Sequence, residues 1–157
     1  MNVASLIYTC LYNNWTETNP PLSSIVWKYD EFDPKSPSLQ ILLENLPERS
    51  VWVDRGTYRV EHKVKITIYM KLIHYNISNI TNYKTTWFNT KQEINRILAI
   101  NKYNISDINN LDLPGGWDDK ETIAVGRGVK TIKEPIVWQS EQVVTAVYYI
   151  GGTLTEE

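Results

Sequence analysis

The stretch YRVEHKVKITIYMKL, residues Tyr58–Leu72, carries the clearest secondary-structure pattern in the chain. Apolar residues occupy almost all of its even-numbered positions, and polar residues occupy almost all of its odd-numbered positions. Successive side chains of a β-strand point to opposite faces of a sheet, so this alternation predicts one strand with a buried face and a solvated face. A helix would scatter the same apolar positions around its axis. We expect this strand to lie at the centre of a sheet, with the other elements packed on its apolar face.

Two helices are predicted, one on either side of this strand in the sequence. Asn2–Tyr12 has its apolar residues at helical spacing, and Thr85–Ile100 is the most regular helical pattern in the chain. For the second helix, Asn89 or Thr90 is a candidate N-cap, which would place Glu93 in the first turn.

Further strands and loops complete the pattern. Val51–Asp54 predicts a short strand that forms a hairpin with the start of the long one. Leu39–Leu46 is apolar enough for a buried strand or a short helix, and its periodicity does not decide between them. The other predicted strands are Ser24–Tyr29, Thr122–Lys133 and Ile136–Ile150, and the predicted loops are Asn76–Tyr83 and Asn104–Asp119.

The order of helix, strands, helix and strands predicts an α+β fold. We expect a mixed, mostly antiparallel sheet with long strands, and two helices packed on one of its faces. A chain of 157 residues, of which 42% are hydrophobic and 22% charged, suits one globular domain. Matched apolar stripes on the long strand and the second helix are the predicted core, namely Val60, Val64, Ile66, Ile68, Ile94, Ile97 and Leu98.

The composition limits the classes of function. The formal net charge is −2, so no basic field over the whole surface indicates nucleic-acid binding. Cys10 is the only cysteine, which excludes an internal disulfide and a cysteine-rich zinc site. We expect no signal peptide, and no apolar run approaches the roughly 20 residues that span a bilayer. Six Trp and ten Tyr are many for this length, and such residues favour cores and protein interfaces.

One arrangement of charged residues suggests a metal-dependent nuclease as an alternative. Asp54, Glu61 and Lys63 follow the layout of PD-(D/E)xK nucleases, in which two acids hold a divalent metal and a lysine positions the water. The connection from Asp54 to Glu61 is short for that family. A solvated strand face with alternating charge explains the same residues.

A strip of positive charge on the long strand leaves a nucleic-acid-binding alternative open. Lys63, Lys65 and Lys71 share the polar positions of the strand with Tyr69. A basic groove that follows a phosphate backbone, beside an aromatic ring on which a base stacks, is typical of single-strand binding.

Two other groups of titratable residues are candidate metal ligands. His62 and His74 lie twelve residues apart, roughly 40 Å on a straight strand, so they cannot share a metal within one chain. Asp118, Asp119 and Glu121 follow a Gly-Gly turn and are of the type that binds Ca²⁺ or Mg²⁺. Turn acids on a solvated loop explain the same cluster, and we favour that interpretation. The sequence shows no recognisable catalytic set or phosphate-binding motif, so we expect no catalytic residues, no metal and no cofactor.

The order of the elements also carries a resemblance. A leading helix ends in Asn14-Trp15 and is followed by a long alternating strand pair. A single amphipathic helix containing Gln92–Leu98 comes next, and the chain ends in a long hairpin whose last strand closes with Val147–Ile150. This outline resembles the tail-terminator and head–tail joining (neck) proteins of tailed phages and archaeal tailed viruses. The loop Asn104–Trp117 departs from the shortest members of that group.

The resemblance implies a single tail-terminator-like domain over residues 1–157 that is not an enzyme. It implies a structural virion protein that forms a ring, often of six copies, and joins the tail tube to the neck. The implied partners are copies of itself, the tail tube protein and neck or connector proteins, with DNA passing through the lumen without specific binding and with no membrane. The implied location is the tail–neck junction of the virion, and the host cytoplasm during assembly.

Overall fold

A computed structural model describes residues 2–28, 39–54, 56–72, 80–120, 123–124 and 136–151 of the chain. Two α-helices, one short 3₁₀-helix and seven strands lie in these ranges. In chain order they are α1 (Val3–Asn14), the 3₁₀-helix (Leu22–Ser24), β1 (Ile25–Lys28), β2 (Leu39–Asp54), β3 (Thr57–Leu72), α2 (Ile80–Ile100), β4 (Asn110–Asp112), β5 (Asp118–Asp119), β6 (Ile123–Ala124) and β7 (Ile136–Gly151).

All seven strands form one sheet, in the order β1-β2-β3-β7-β4. The strand β3 is central and antiparallel to both neighbours, as the alternation of Tyr58–Leu72 predicts. At one edge, β1 runs parallel to β2, and at the other, β5 and β6 join β4 along the same side of β7. The sheet is therefore mixed and mostly antiparallel, and the predicted α+β fold is confirmed.

The two faces of β3 differ as the sequence predicts. Its even positions from Val60 to Leu72 are buried, whereas its odd positions are partly or fully exposed except for Thr67. The even face packs against both helices in one apolar cluster, and Trp138 of β7 meets Trp87 of α2 with ring centroids 5.8 Å apart. All seven residues of the predicted core are fully buried, because strand and helix bury their apolar stripes against each other.

Leu39–Asp54 forms one continuous strand, which decides the ambiguity at Leu39–Leu46 in favour of a strand. The predicted short strand Val51–Asp54 is the end of this same strand, and the predicted hairpin with β3 is confirmed. Gly56 makes its turn with φ 83°, a conformation that glycine adopts without strain. The strand pattern in the sequence is interrupted at Pro47, which lies in a register shift between Asn45 and Glu48. The strand bulges there, so the missing N–H of proline is tolerated.

The start of α2 differs from the prediction. The helix begins at Ile80, so the predicted cap at Asn89 or Thr90 is wrong and Glu93 lies in the middle of the helix. The predicted loop likewise fails for residues 80–83. Threonine hydroxyls inside the helix donate hydrogen bonds to backbone carbonyls one turn earlier, as Thr90 does to the Thr86 carbonyl oxygen at 2.7 Å. A threonine in this sequence is therefore not a reliable sign of a helix N-cap.

Three further predictions have mixed outcomes. The loop predicted at 104–119 contains the short strands β4 and β5, which pair with β7. Of the strand predicted at Thr122–Lys133, Ile123–Ala124 is seen as β6, and the remainder lies outside the described residues. His74, Glu121 and residues 76–79 also lie outside them. No helix in the described part of the chain is long and apolar enough to cross a membrane.

Candidate functional site

The residues of the nuclease-like pattern do not converge. Asp54 is opposite Thr57 in the hairpin, four positions along β3 from Glu61, which is roughly 13 Å. The Glu61 carboxylate is bound by the guanidinium of Arg59, and Lys63 is exposed on the same face. One hard cation needs its oxygen ligands within about 2.6 Å of itself. These strand positions therefore do not place the two acids on one metal.

The acidic cluster after the Gly-Gly turn is paired with lysines. The Asp119 carboxylate accepts a hydrogen bond of 2.6 Å from Lys91 of α2, and the Asp118 carboxylate accepts one of 2.8 Å from Lys120. Partial burial, the largest single influence, would raise the pKa of Asp119, but hydrogen bonding from Lys91 and Ser140 and the positive charge of Lys91 together outweigh it, so the pKa is lowered. Within the described ranges, no three His, Cys, Asp or Glu side chains are grouped as metal ligands. The ammonium groups of two lysines thus already neutralise the negative charges of Asp118 and Asp119.

The lysine strip lies on the polar face of β3, where acids interrupt it. Lys65 Nζ is 3.6 Å from Glu44 Oε1, and Glu141 of β7 lies opposite Thr67 in the register. The pKa of Tyr69 is raised by burial and then by the negative charges of Glu44 and Glu141. Positive and negative groups therefore alternate on this face, and they do not form a continuous basic groove.

A buried carboxylate that sequence reasoning misplaced fixes the chain after α1. Glu93 is 5% exposed, and its Oε2 accepts hydrogen bonds from the backbone N–H groups of Thr16 at 2.6 Å and Glu17 at 3.2 Å. Arg96 donates to both carboxylate oxygens at 2.8 Å. These bonds, led by the one from Arg96, lower the pKa of Glu93 to about 2. The spacing of Glu93 and Arg96 on one helix could have indicated a pair, but their partner loop is distant in sequence.

A cavity of about 340 Å³ lies at the end of the sheet where β2 begins and β3 ends. The linker after α1, the two strands and the first turns of α2 line it, and it is open to solvent on one side. Its lining residues are Asn19, Pro20, Pro21, Ser24, Leu39, Met70, Asn82, Tyr83 and Thr86. Among these described lining residues there is no carboxylate, lysine, arginine or histidine, so the cavity presents amides, hydroxyls and apolar groups rather than a catalytic set.

At the other end, the three long strands continue past the point where the turn after α2 meets β7. The turn after α2 is held by a hydrogen bond of 3.0 Å from Leu111 N–H to the Lys102 carbonyl oxygen, and Leu111 pairs with Ala146. From Ala146 to Gly151, β7 runs a further five residues, roughly 17 Å. We call this part of the sheet the outer arm, comprising Glu48–Asp54, Thr57–His62 and Ala146–Gly151. The inner half comprises Leu39–Asn45, Val64–Leu72 and Ile136–Val144.

The outer arm combines free strand edges with exposed apolar side chains. In the described residues, β1 pairs with β2 only over Leu39–Leu42, and β4 pairs with β7 no further than Val147. Among the described residues, the arm therefore has no strand partner on its β2 edge, and none on its β7 edge beyond Val147. Val53, Tyr149 and Ile150 are 50%, 47% and 45% exposed near its end. Because Tyr149 and Ile150 are consecutive, their side chains point to opposite faces of the arm.

Comparisons with known proteins leave the family of this chain open. A scan against protein-family models found no match, and a search of curated proteins found none either. Among solved structures, the chain is similar to a protein whose name gives no function, with a TM-score of 0.40 and 11% identity. The likeness covers 90% of this chain and 94% of that chain. At that score it carries no argument about fold or function. The class that the fold itself defines is an α+β protein with two helices on one face of a long-stranded sheet.

Proposed function

We propose that this chain is a structural virion protein, a ring-forming tail terminator or head–tail connector that joins the tail tube to the neck of a tailed virus. The observation that carries the proposal is the outer arm, whose end has open strand edges and exposed apolar residues. The order of the elements resembles the order in tail terminators and connectors, and this resemblance supports a place for the ring between tail tube and neck.

The two edges of the arm favour a head-to-tail contact. An unpaired strand edge exposes backbone N–H and C=O groups, which a strand of another copy can satisfy. One edge belongs to β2 and the other to β7, so their surfaces differ. Contact between two different surfaces is heterologous, and it closes into a ring when the rotation between copies permits. The arm thus provides both halves of a repeating interface.

The exposed side chains supply the apolar part of this contact. Val53, Tyr149 and Ile150 lie close to the edges, and aromatic and large apolar residues are enriched where proteins meet. Burial of such residues by a neighbour would remove apolar area from water, which favours association by roughly 25 cal/mol per Å² before the entropic costs of binding.

The virion context remains part of the proposal. The expected partners are further copies of the chain, the tail tube protein and neck proteins, and DNA passes through the lumen without specific binding. The tail–neck junction is the proposed location, with assembly in the host cytoplasm. Where no tube end is present, the isolated chain is free to remain a monomer, since the tube can act as the template for the ring.

The proposal is tested by the mass of the purified protein, alone and mixed with tail tube protein, and by imaging of particles. A ring of defined copy number on the tube end, with this chain at the tube–neck junction, is the expected result. Particles of its own virus that lack the chain, or that carry it as an isolated monomer, would contradict the joining role.

The nuclease alternative has its own test, although the separation of Asp54 from Glu61 along the hairpin gives it less support. The protein is incubated with plasmid DNA and Mg²⁺ or Mn²⁺, and we expect no cleavage. Cleavage that is lost in Glu61→Ala would overturn the structural role and favour the enzyme.

A further inference from the structure

A buried histidine lies at the base of the outer arm. His62 is 6% exposed and sits between Glu48 of β2 and Ala146 of β7 in the register of the sheet. In the described part of the chain, neither of its ring nitrogens has a hydrogen-bond partner. A neutral imidazole carries one N–H, so among the described residues this ring buries an unsatisfied donor at neutral pH. Buried polar groups in folded proteins are nearly always paired, and this exception calls for an explanation.

Few charged groups act on this ring. Oε2 of Glu48 lies 3.5 Å from Nδ1, at the outer limit of a hydrogen bond, and the same oxygen is 3.4 Å from the hydroxyl of Tyr148 on β7. Glu48 itself is half exposed, so water weakens its attraction for a proton on the ring.

Few backbone hydrogen bonds hold the β2 side of the arm beside this histidine. The register shift between Asn45 and Glu48 interrupts the ladder next to it, and Pro47 within the shift has no N–H to donate. From Leu43 onward, β2 has no strand on its outer side among the described residues. Among the described strands, β3 is therefore the only one whose backbone pairs with the β2 segment Glu48–Asp54.

We propose that His62 is an acid-sensitive latch: adding a proton to its ring releases the β2 segment Glu48–Asp54 from β3. An imidazolium has two N–H donors and a charge, and the closed site offers it one half-exposed carboxylate. When the β2 segment lifts away, both nitrogens reach water. The released state therefore binds the proton more tightly than the closed state, and protons shift the equilibrium toward release.

The direction of the effect follows from burial. Burial is the largest influence on the pKa of His62, and the pKa is lowered although the Glu48 carboxylate acts to raise it. The ordinary pKa of histidine is about 6.5. When the pKa is lower in the closed state, protonation has no effect on that state at a pH well above 6.5, and it destabilises the closed state as the pH falls below 6.5. The latch is thus closed at neutral pH and opens in mild acid.

The latch acts within a single chain, so it does not rest on ring formation. It would nevertheless control the edge that the proposed ring uses. A monomer whose β2 edge is released cannot present an ordered strand to a neighbour, and assembly would then weaken in the same pH range.

Amide hydrogen exchange of the full chain tests the latch, measured at pH 7.5 and pH 5.5 and corrected for the intrinsic exchange rate. Exchange within Glu48–Asp54 is expected to become several-fold faster at the lower pH, while the inner half of β2, Leu39–Asn45, keeps its protection. In His62→Gln, which cannot be protonated, this pH dependence is expected to disappear. His74→Gln is the matched control and should behave like the unaltered protein.

Two further measurements keep the test decisive if His62→Gln fails to fold. In Glu48→Gln the attraction for the proton is lost, so release at pH 5.5 should increase. The chain has two histidines, so NMR of the protein and of His74→Gln assigns the His62 resonance, which should titrate below pH 6.5 in step with release. Equal protection of the β2 segment at both pH values, an unchanged pH dependence in His62→Gln, or titration of His62 at or above 6.5 would each overturn the latch.

Discussion

The inner half and the outer arm are built from the same three strands, yet their surroundings differ. In the inner half, both helices cover the even face of β3, and the buried side chains of sheet and helices form one cluster. Burial continues into the first rows of the arm at Val60 and Tyr148, and it ends before Ile150. The comparison shows that length alone does not make a strand part of the core. The same alternating pattern stabilises the fold where a helix covers it and leaves a surface for a partner where none does.

The largest expected effect lies in the inner half. Ile66→Ala removes a fully buried side chain from beneath the helices, and we expect it to lower the free energy of unfolding by about 2–5 kcal/mol. Ile150→Ala is the matched change in the outer arm, and we expect it to cost less than about 1 kcal/mol. Denaturant unfolding of both variants measures the difference. A change below about half a kcal/mol for Ile66→Ala would contradict its place in the core.

The next effect concerns the clamp between α2 and the chain after α1. Glu93→Gln removes a buried negative charge that accepts bonds from two backbone N–H groups and Arg96, and we expect a loss on the order of 2–4 kcal/mol at pH 7. Asp118→Asn, at an exposed carboxylate paired with Lys120, is the control and should stay within about 0.5 kcal/mol. Equal losses in the two variants would show that the Glu93 clamp is not special.

The same clamp gives a pH dependence with a defined sign. The pKa of Glu93 is about 2 in the folded protein, below its ordinary value of 4.5. Its contribution is therefore complete above about pH 4.5 and is lost as the pH falls toward 2, because the unfolded chain takes up the proton first. Unfolding experiments from pH 6 to pH 2.5 should show this loss in the unaltered protein and much less of it in Glu93→Gln. Identical pH profiles would show that other carboxylates control acid unfolding.

A smaller effect is expected at the boundary between the two regions. Asn45 accepts a hydrogen bond of 2.9 Å from the Ala4 backbone N–H and donates to the Asn2 side chain, so it joins the start of α1 to β2. Asn45→Ala should cost about 1 kcal/mol, as the loss of a helix cap does. Denaturant unfolding measures it, and Asn104→Ala, at an exposed side chain beyond α2, serves as the control. No loss in Asn45→Ala would mean that α1 is fixed by its apolar face alone.

The smallest effect on the monomer carries the largest expected effect on assembly. Ile150→Lys places a charge on the outer arm, where the side chain is half exposed, so unfolding should change by less than about 0.5 kcal/mol. Ring formation on tube ends should be lost, because a buried lysine without a partner is costly in an interface. Ile100→Lys, at a 61% exposed position on α2, is the matched control and should still assemble. Assembly of Ile150→Lys with normal yield would remove this surface from the proposed interface.

The sequence alone determined the elements whose signal is local. The alternation of Tyr58–Leu72 fixed the strand, its buried face and its central place, because a period of two has one structural solution when one face must be buried. Ile94, Ile97 and Leu98 were likewise assigned to the core from helical spacing. The shared face of Lys63, Lys65 and Lys71 was also predicted correctly, since parity along a strand decides it.

The tertiary structure alone decided the features that depend on partners distant in sequence. Asparagine and threonine residues inside α2 imitate a cap, and the bonds from Thr16 and Glu17 to Glu93 have no local signature. The bulge at Pro47 hid the continuity of β2, which became visible only with β3 as its partner. His62 is buried and Ile150 is exposed, although both lie in equally regular strands, so packing around the strands decides between them. A sequence pattern records which side chains can be buried, whereas the packing of one element on another decides which of them are.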